Sequence, residues 1–427
     1  MKVEYMDIKD MIFGDGTKLK EGLLTVDKQE LEELLLKDAR ILSVDVDIAK
    51  PGEEVRIIPV KDVIEPRVKT AGGGSLFPGM LSKADTAGKG VTRVLSGAAV
   101  VTTGKIVGFQ EGMIDMSGSG SDYTPFSSTI NLVLVLKPAE GISAKEHEEA
   151  IRLAGLRAAV YIGESARDED PQRIIEVHDE TVKTLMGENE KLPKVVYIYM
   201  LQSQGLLHDT YVYGTDAKRI LPTLITPAEI ADGAIVSGNC VSACDKNTTY
   251  HHQNNPLIEE LLEQHGKNLN FIGVIITNEN VTLADKERSS NFTAKLAAQL
   301  GADGAIISEE GFGNPDTDLI MNCVKLEKQG IKTVLITDEF AGRDGASQSL
   351  ADADEKADAV VSTGNANEIV HLPPMKKIIG IEDAADKMAG SFEESLKEDG
   401  SIAIEIQAII GATNELGYNR LAATKKK

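Results

Sequence analysis

Phe271-Ile272-Gly273-Val274-Ile275-Ile276-Thr277 is a short apolar run, and a helical pattern follows it. Apolar runs of this length between polar or glycine-containing segments are typical of buried strands. The same order repeats, which predicts strands at 304–308, 332–337, 359–362 and 377–381 and helices at 257–265, 284–300, 316–329 and 347–356. Strands that alternate with helices form βαβ units. The C-terminal half is therefore predicted to be a doubly wound, mostly parallel, Rossmann-like α/β sheet.

Polar residues lie at the ends of four of these predicted strands. The segments are Thr277-Asn278-Glu279, Ser308-Glu309-Glu310, Thr337-Asp338-Glu339 and Thr363-Gly364-Asn365. The carboxyl ends of parallel strands meet at one edge of a sheet, and ligands bind there in open α/β folds. The sequence therefore predicts that these side chains line a common edge.

The N-terminal half has a different pattern. Asp27 and Ser143 each stand three residues before a glutamate, which predicts the first turn of a helix in both places. The runs 97–108 and 129–136 are β-branched and apolar and predict buried strands. We expect a β-rich α+β domain over 1–140, an α/β segment over 141–239 and a third domain over 240–427.

Composition excludes several classes of function. The chain has 427 residues, a net charge of −22, 42% hydrophobic residues and no tryptophan. So acidic a protein is not expected to bind nucleic acid or an anionic membrane surface. No apolar run approaches the ~18 residues that a membrane span needs. Three cysteines do not make a disulfide framework, and the charged N-terminus is no secretory signal, so we expect a cytoplasmic protein.

Two of the three cysteines lie close together, in the segment 235–256. Cys240 directly follows the turn-forming residues Gly238 and Asn239. A sulfur in this position can attack the preceding carbonyl and move the acyl group from nitrogen to sulfur. If the α-proton of Cys240 is then lost, the acylated sulfur leaves by β-elimination. The chain is cut between Asn239 and Cys240, and hydrolysis of the enamine leaves a pyruvoyl group at the new N-terminus.

The surroundings of this dipeptide resemble those in the proproteins of the glycine, sarcosine and betaine reductase component B subunits. The matching segments cover nearly the whole chain and are 199–210, 238–240, 244–246, 250–252, 254–256, 277–280, 284–290, 310–318 and 337–345. In that family, a cysteine at the position of Cys240 becomes the pyruvoyl carbonyl after self-cleavage.

The resemblance implies a reductive cleavage of a carbon–nitrogen bond. The carbonyl forms a Schiff base with the amino-acid substrate, and a selenocysteine then displaces the amine. This chain has no selenocysteine, so the family's larger component B subunit would provide it. The other implied partners are selenoprotein A, component C, which releases acetyl phosphate, and the thioredoxin system. The resemblance thus implies a hetero-oligomeric oxidoreductase.

Four side chains are candidates to assist this chemistry. Elimination at Cys240 needs a base, and His251 and His252 are close in sequence. The substrate's carboxylate needs a cationic partner, which arginine provides best. Arg288 and Arg343 lie near predicted strand ends in matching segments, and both are predicted to bind substrate.

Two other readings of the motifs stay open. Cys240, Cys244, His251 and His252 could bind zinc in a non-catalytic scaffold subunit of the same kind of complex, although two adjacent histidines suit a tetrahedral site poorly. The segment 311–316 imitates a dinucleotide fingerprint, but Asp316 replaces its third glycine and would repel a pyrophosphate. Asn314 as N-cap and Pro315 in the first turn explain that segment as a helix start. The third cysteine, Cys323, is predicted to lie in the core.

Overall fold

A computed structural model describes residues 1–177, 191–238 and 242–416. It is a mixed α/β structure with β-rich sheets in the N-terminal half and a largely parallel sheet with helices in the C-terminal half, as predicted. The α-helices in the described ranges are Lys28–Leu35, Ala144–Gly163, Pro227–Ala231, Thr249–Gln253, Pro256–Gln264, Leu283–Gln299 and Asn314–Glu327.

The C-terminal sheet has the predicted βαβ construction. Its strand order is Thr223–Ile225, Asn270–Asn278, Lys194–Leu201, Gly304–Ser308, Lys332–Glu339 and Val360–Asn365. Neighbours pair in parallel throughout, except that Thr223–Ile225 runs antiparallel to the next strand. The strand Asn270–Asn278 is buried along its whole length, as its apolar sequence predicts. The predicted polar edge therefore exists at the carboxyl ends of these strands.

The strand Lys194–Leu201 lies inside this sheet although it precedes the Asn239-Cys240 dipeptide. It pairs with Asn270–Asn278 on one side and with Gly304–Ser308 on the other. Residues on both sides of positions 239–241 thus form one sheet. The domain limits predicted at 140 and 239 stay predictions.

Smaller sheets build the N-terminal half. The largest has the order Gly112–Asp115, Val55–Ile64, Ala98–Gly104, Ile130–Pro138 and Ile41–Ala49, and the helix Ala144–Gly163 packs on it. A second sheet has the order Arg173–Glu176, Lys2–Asp7, Val91–Ser96 and Arg67–Ala71. Two small sheets also precede position 239. One consists of Asp10–Phe13, Leu23–Val26 and Lys18–Lys20, and the other of Thr215–Asp216, Tyr211–Val212 and Ile235–Val236. In the C-terminal half, Ile369–Leu372 pairs with Ile402–Glu405.

Both N-caps that were predicted for helices of the N-terminal half form. The Asp27 carboxylate accepts a hydrogen bond from the Glu30 amide at 3.0 Å. Ser143 and Glu146 form a reciprocal capping box, in which each side chain accepts from the other residue's amide. These contacts satisfy amides that have no partner within the helix. None of the described helices is both long enough and apolar enough to cross a bilayer.

Three local predictions were wrong. The segment 347–356 is not helical. Two of its amides bond to partners outside the segment, since Asp316 accepts from Ala351 and the Ala341 carbonyl accepts from Ser347. The strand Lys377–Gly380 forms, but it joins the N-terminal sheet beside Val55–Ile64. The helix at 314 has Gly313 as its N-cap, one residue before the predicted Asn314.

This interleaving gives a prediction about a cut chain. If a protease site is engineered at positions 239–241 and cleaved, the two pieces should elute from gel filtration as one particle in native buffer. Each piece provides strands to sheets of the other, and those hydrogen bonds and apolar contacts do not depend on the link. The pieces should separate only in denaturant. Separate elution in native buffer would show that the shared sheets do not hold them together.

Candidate functional site

Asn239 and Cys240 lie outside the described residues, but the residues that flank them are placed. Gly238 follows the strand Ile235–Val236 and lies against the backbone of 208–209. A Cβ on Gly238 would lie 1.9 Å from the carbonyl oxygen of Asp209. Only glycine fits there, because such a distance is far below van der Waals contact.

The flank at Ser242 is also held. The Ser242 hydroxyl donates to Oε1 of Gln407 at 2.9 Å, and the Ala243 carbonyl accepts from the Gly411 amide at 2.9 Å. Residue 240 is two peptide links from Gly238 and two from Ser242. Groups around these two flanks are therefore the ones within reach of it.

His251 and His252 lie on the short helix Thr249–Gln253 with different contacts. Nδ1 of His251 accepts from the Thr248 amide at 3.1 Å. Nδ1 of His252 lies 2.7 Å from the Tyr199 hydroxyl. Both rings are fully buried. Burial lowers the pKa of each ring to about 3. His252 lowers the pKa of His251 further, and Lys246 lowers that of His252 further. Both imidazoles are thus neutral at pH 7 and can accept a proton.

The same helix is tied to the Gly238 flank. Oγ1 of Thr249 accepts from the Ser237 amide at 3.2 Å and donates to the Asp62 carboxylate at 2.7 Å. Asp62 belongs to the strand Val55–Ile64 of the N-terminal sheet. Thr249 therefore fixes the histidine helix, the Gly238 flank and that sheet relative to one another.

His252 lines a cavity of about 550 Å³. Its lining includes His252, Arg67, Arg173, Tyr5 and Glu259. A cavity of this volume can hold a small molecule or part of a partner chain. Of the two histidines, His252 is the one that faces it.

Buried basic groups lie beside the Gly238 flank. Glu148, on the helix Ala144–Gly163, contacts Nζ of Lys61 at 3.0 Å, Nε of Arg152 at 3.2 Å, and the ring of His208. Burial alone would raise the pKa of this carboxyl, but the positive charges of Lys61 and Arg152 hold it well below its usual range. Two permanent cations thus share one carboxylate.

This basic network reaches both flanks of the dipeptide. The carbonyl oxygen of His208 would lie 3.0 Å from a Cβ on Gly238. Nζ of Lys246, four residues after Ser242, donates to the Lys61 carbonyl at 2.6 Å. The network of Lys61, Glu148, Arg152 and His208 therefore contacts both the Gly238 flank and Lys246.

Sequence reasoning did not single out this network, although signals for it exist. Lys61 and Asp62 are adjacent charges in the strand Val55–Ile64, whose only other charged residue is Arg56, and the burial of this strand makes unpaired charge costly. Glu148 and Arg152 are four residues apart on one helix face. The contact between Lys61 and Glu148 depends on how the helix packs on the strand, and the sequence does not reveal that packing.

Acidic groups lie on the Cys244 side, at the carboxyl edge of the parallel sheet. The buried carboxyls are Asp245, Glu279, Glu309, Glu310, Asp338 and Glu415. Burial raises the pKa of every one, and repulsion between neighbours adds to this for most of them. Glu310 reaches a pKa of about 7, even though the amides of Asn247 and Gln202 donate to it. The predicted polar edge is thus a buried and strongly acidic one.

Arg288 and Arg343 lie at the surface. Arg288 is half-exposed and pairs with Asp285, three residues earlier on its helix. Arg343 is also half-exposed, and its Nε donates to Glu405 at 2.6 Å. Each charge already has an anionic partner. Their role in binding the substrate carboxylate stays a prediction.

The zinc set drawn from the sequence is not assembled by the described residues. Sγ of Cys244 lies within 4.8 Å of carboxylate oxygens of Asp245 and Asp338. Within the described ranges, no other group of three or more potential ligands forms, and this one contains neither His251 nor His252. Cys240, the remaining member of the predicted set, is outside those ranges. The third cysteine, Cys323, is buried in its helix as predicted.

The neutral histidines give a prediction about acid stability. Each has a folded-state pKa of about 3 against 6.5 in the unfolded chain. The unfolded state therefore binds more protons between these values, and stability is lost as the pH falls from 6.5 towards 3. In a Cys240→Ala background, His252→Gln should reduce the slope of unfolding free energy against pH by about 1.4 kcal/mol per pH unit between pH 4 and 6.

Chemical denaturation at several pH values measures that slope. The matched control is His371→Gln, because His371 is exposed. If His252→Gln leaves the slope unchanged, His252 is not held neutral by burial.

Comparison with known proteins identifies the relatives of this chain. The family of glycine/sarcosine/betaine reductase component B subunits matches residues 1–424. The glycine reductase complex component B subunits alpha and beta of Acetoanaerobium sticklandii are 62% identical over 99% of both chains. The protein of the same name from Peptoclostridium acidaminophilum is 62% identical over 97% of both. The sarcosine reductase complex component B subunit alpha of P. acidaminophilum is 55% identical over 97% of both.

No solved structure matches the chain. The family match nevertheless spans almost every residue, and the resemblance noted in the sequence is confirmed. On these grounds the chain belongs to the family of glycine/sarcosine/betaine reductase component B subunits and is a subunit of a reductase complex.

Proposed function

We propose that this chain is the proprotein of the α and β subunits of glycine reductase component B, and that it is cut between Asn239 and Cys240. The observation that carries the proposal is the full-length similarity to two single chains whose names include both subunits. The placed flanks add support. Gly238 and Ser242 are each held by buried neighbours, and chemistry at one peptide bond needs fixed ends.

The cut requires no oxidant or external nucleophile other than water. Sγ of Cys240 adds to the carbonyl carbon of Asn239, the C–N bond breaks, and the Cys240 amine is freed. Loss of the Cys240 α-proton then expels a thiocarboxylate from the β-carbon. The resulting enamine tautomerises to an imine, and water converts the imine into the pyruvoyl carbonyl and ammonia. A second water converts the thiocarboxylate on Asn239 into a carboxylate and sulfide.

Proton transfer is the role of His251 or His252 in this scheme. Burial lowers the pKa of each ring to about 3, so both imidazoles are neutral at pH 7, and a neutral imidazole can accept the α-proton at a ring nitrogen. Thr249, which begins their helix, also bonds the Ser237 amide. The helix therefore holds its two bases at a fixed position relative to the Gly238 flank.

The residues around the two flanks suit a pyruvoyl group at position 240. A ketone there would condense with a substrate amine and turn its nitrogen into a leaving group. The nucleophile would come from a larger, selenocysteine-containing component B subunit. The product would pass to selenoprotein A and component C to give acetyl phosphate, with thioredoxin as reductant. Such a hetero-oligomer would be cytoplasmic.

Glycine is the substrate that the comparisons favour. Identity is 62% to the two glycine reductase chains and 55% to the sarcosine reductase chain. Glycine and sarcosine can both condense with a ketone, so sarcosine is the second candidate. Turnover of the complete complex with each amine would decide between them.

The Lys61–Arg152 pair is a better candidate to hold the substrate carboxylate than Arg288 or Arg343. Both cations are buried, and they share the single carboxylate of Glu148. Their network also touches the Gly238 flank, whereas the two arginines are exposed and paired. A buried cation with spare donors binds a carboxylate more strongly than an exposed one.

Removal of the sulfur tests the cut. Cys240→Ala should run as one uncut polypeptide on a denaturing gel, gain no mass with hydroxylamine, and have no glycine reductase activity in the reconstituted complex. Cys323→Ser is the matched control, since it removes a buried thiol far along the chain, and it should be cut normally. Activity in the uncut Cys240→Ala protein would refute the pyruvoyl proposal.

Two oxime-forming probes test the carboxylate anchor. Hydroxylamine and aminooxyacetate both react with a ketone, but only aminooxyacetate has a carboxylate. In the cut protein, Lys61→Gln should slow the reaction with aminooxyacetate about tenfold or more, as loss of a charged hydrogen bond does. The reaction with hydroxylamine should change less than about twofold.

Arg288→Gln and Arg343→Gln serve as controls and should react with both probes like the wild type. A selective loss with aminooxyacetate in either arginine variant would instead support the anchor predicted from sequence. If no form of the protein reacts with either probe, there is no ketone and the pyruvoyl proposal itself fails.

A further inference from the structure

Three potential metal ligands meet at the acidic edge of the parallel sheet. Sγ of Cys244 and carboxylate oxygens of Asp245 and Asp338 all lie within 4.8 Å of one another. Cys244 and Asp245 follow the Ser242 flank, and Asp338 is near the end of the strand Lys332–Glu339. All three side chains are at most 1% exposed.

The carboxylate of Asp245 lacks the partners that a buried anion needs. No hydrogen bond of normal geometry reaches either of its oxygens from the described residues. The same holds for Oδ1 of Asp338 and Oε2 of Glu415. The other oxygen of Asp338 accepts from Thr413 at 2.9 Å, so that side chain is fixed with one oxygen left over.

Three other buried carboxylates of this protein pair with arginine or lysine. Asp115 accepts two hydrogen bonds from Arg56, at 2.6 and 2.8 Å. Glu65 pairs with Arg67, and Asp318 pairs with Lys286. Within the described ranges no such ion pair forms at Asp245 or Asp338. An isolated buried carboxylate costs many kcal/mol unless a proton or a cation neutralises it, and a metal ion held together with the Cys244 sulfur would supply that charge.

We propose that Cys244, Asp245 and Asp338 bind a divalent transition-metal ion of the zinc or iron(II) class. A thiolate combined with two carboxylates suits such an ion better than magnesium or calcium, which prefer oxygen ligands alone. Ligand atoms of a tetrahedral zinc ion lie roughly 3.3–3.8 Å apart, given bond lengths of about 2.0–2.3 Å. The observed group fits this geometry after a contraction of about 1 Å.

The ion would fix the segment that begins at residue 242. Once the chain is cut, this segment is near a new N-terminus, and free chain ends are poorly ordered unless they are tied down. A metal bound by Cys244 and Asp245 would join it to Asp338 at the carboxyl end of the strand Lys332–Glu339. The site uses neither Cys240 nor a histidine, so it differs from the zinc set predicted from sequence and is compatible with the cut.

Metal analysis of the full-length protein, purified without chelator or a histidine tag, tests the site. A Cys240→Ala background removes the thiol of the processing position. We expect close to one zinc or iron per chain in this background and less than about a tenth of that in Cys244→Ser and in Asp338→Asn. Cys323→Ser is the matched control and should keep the metal.

A second measurement does not depend on how the variants fold. Cobalt(II) added to the chelator-treated Cys240→Ala protein should give a thiolate-to-cobalt charge-transfer band, and Cys323→Ser should keep that band. Three results would overturn the proposal. They are the absence of both bound metal and a cobalt band, unchanged metal in a folded Cys244→Ser protein, and loss of the metal in Cys240→Ala itself. None of these readouts requires the chain to be cut.

Discussion

The structure depends on one strand that crosses the middle of a sheet built by later residues. Lys194–Leu201 hydrogen-bonds to Asn270–Asn278 and to Gly304–Ser308, so the C-terminal sheet cannot form without the chain that precedes position 239. The strand Lys377–Gly380 makes the reverse connection to Val55–Ile64. A backbone link at 239–241 is then unnecessary for the particle to hold together. This makes a proprotein with an internal cut physically reasonable.

The same interleaving brings opposite charges to the two flanks of the Asn239-Cys240 dipeptide. Lys61 and Arg152 come from the N-terminal half and pair with Glu148, whose third partner, His208, lies against Gly238, while Asp245 and Asp338 lie beyond Ser242. An amino acid has a carboxylate at one end and an amine at the other. The buried cations of the network that contacts the Gly238 flank suit the carboxylate of such a molecule, and electrostatic interactions there are poorly screened by solvent.

Much of the C-terminal sheet could be predicted because its strands are short apolar runs between helical patterns. The strand 304–308 begins and ends at the predicted residues. The helix predicted at 347–356 failed because the Asp316 carboxylate and the Ala341 carbonyl take the amides of Ala351 and Ser347 in a Ser- and Asp-containing segment. The sheet to which Lys377–Gly380 belongs is a long-range property, and apolar periodicity contains no information about it.

The candidate site was predictable only in part, for a related reason. The Asn239-Cys240 dipeptide and the nearby histidines predicted self-cleavage because a thiol can attack the preceding carbonyl and an imidazole can accept a proton. Arginine near strand ends suggested a carboxylate anchor, but Arg288 and Arg343 prove to be exposed and paired. Lys61 and Glu148 are far apart in sequence and become neighbours only through the packing of a helix on a sheet.

The most direct test of the central claim is the intact mass of the wild-type protein, purified together with its complex and dissolved in denaturant. The account predicts two polypeptides, 1–239 and 240–427. The second should have a ketone in place of the Cys240 amine and thiol, and borohydride should add two hydrogens to it. A single species with the mass of the uncut 427-residue chain would contradict the account.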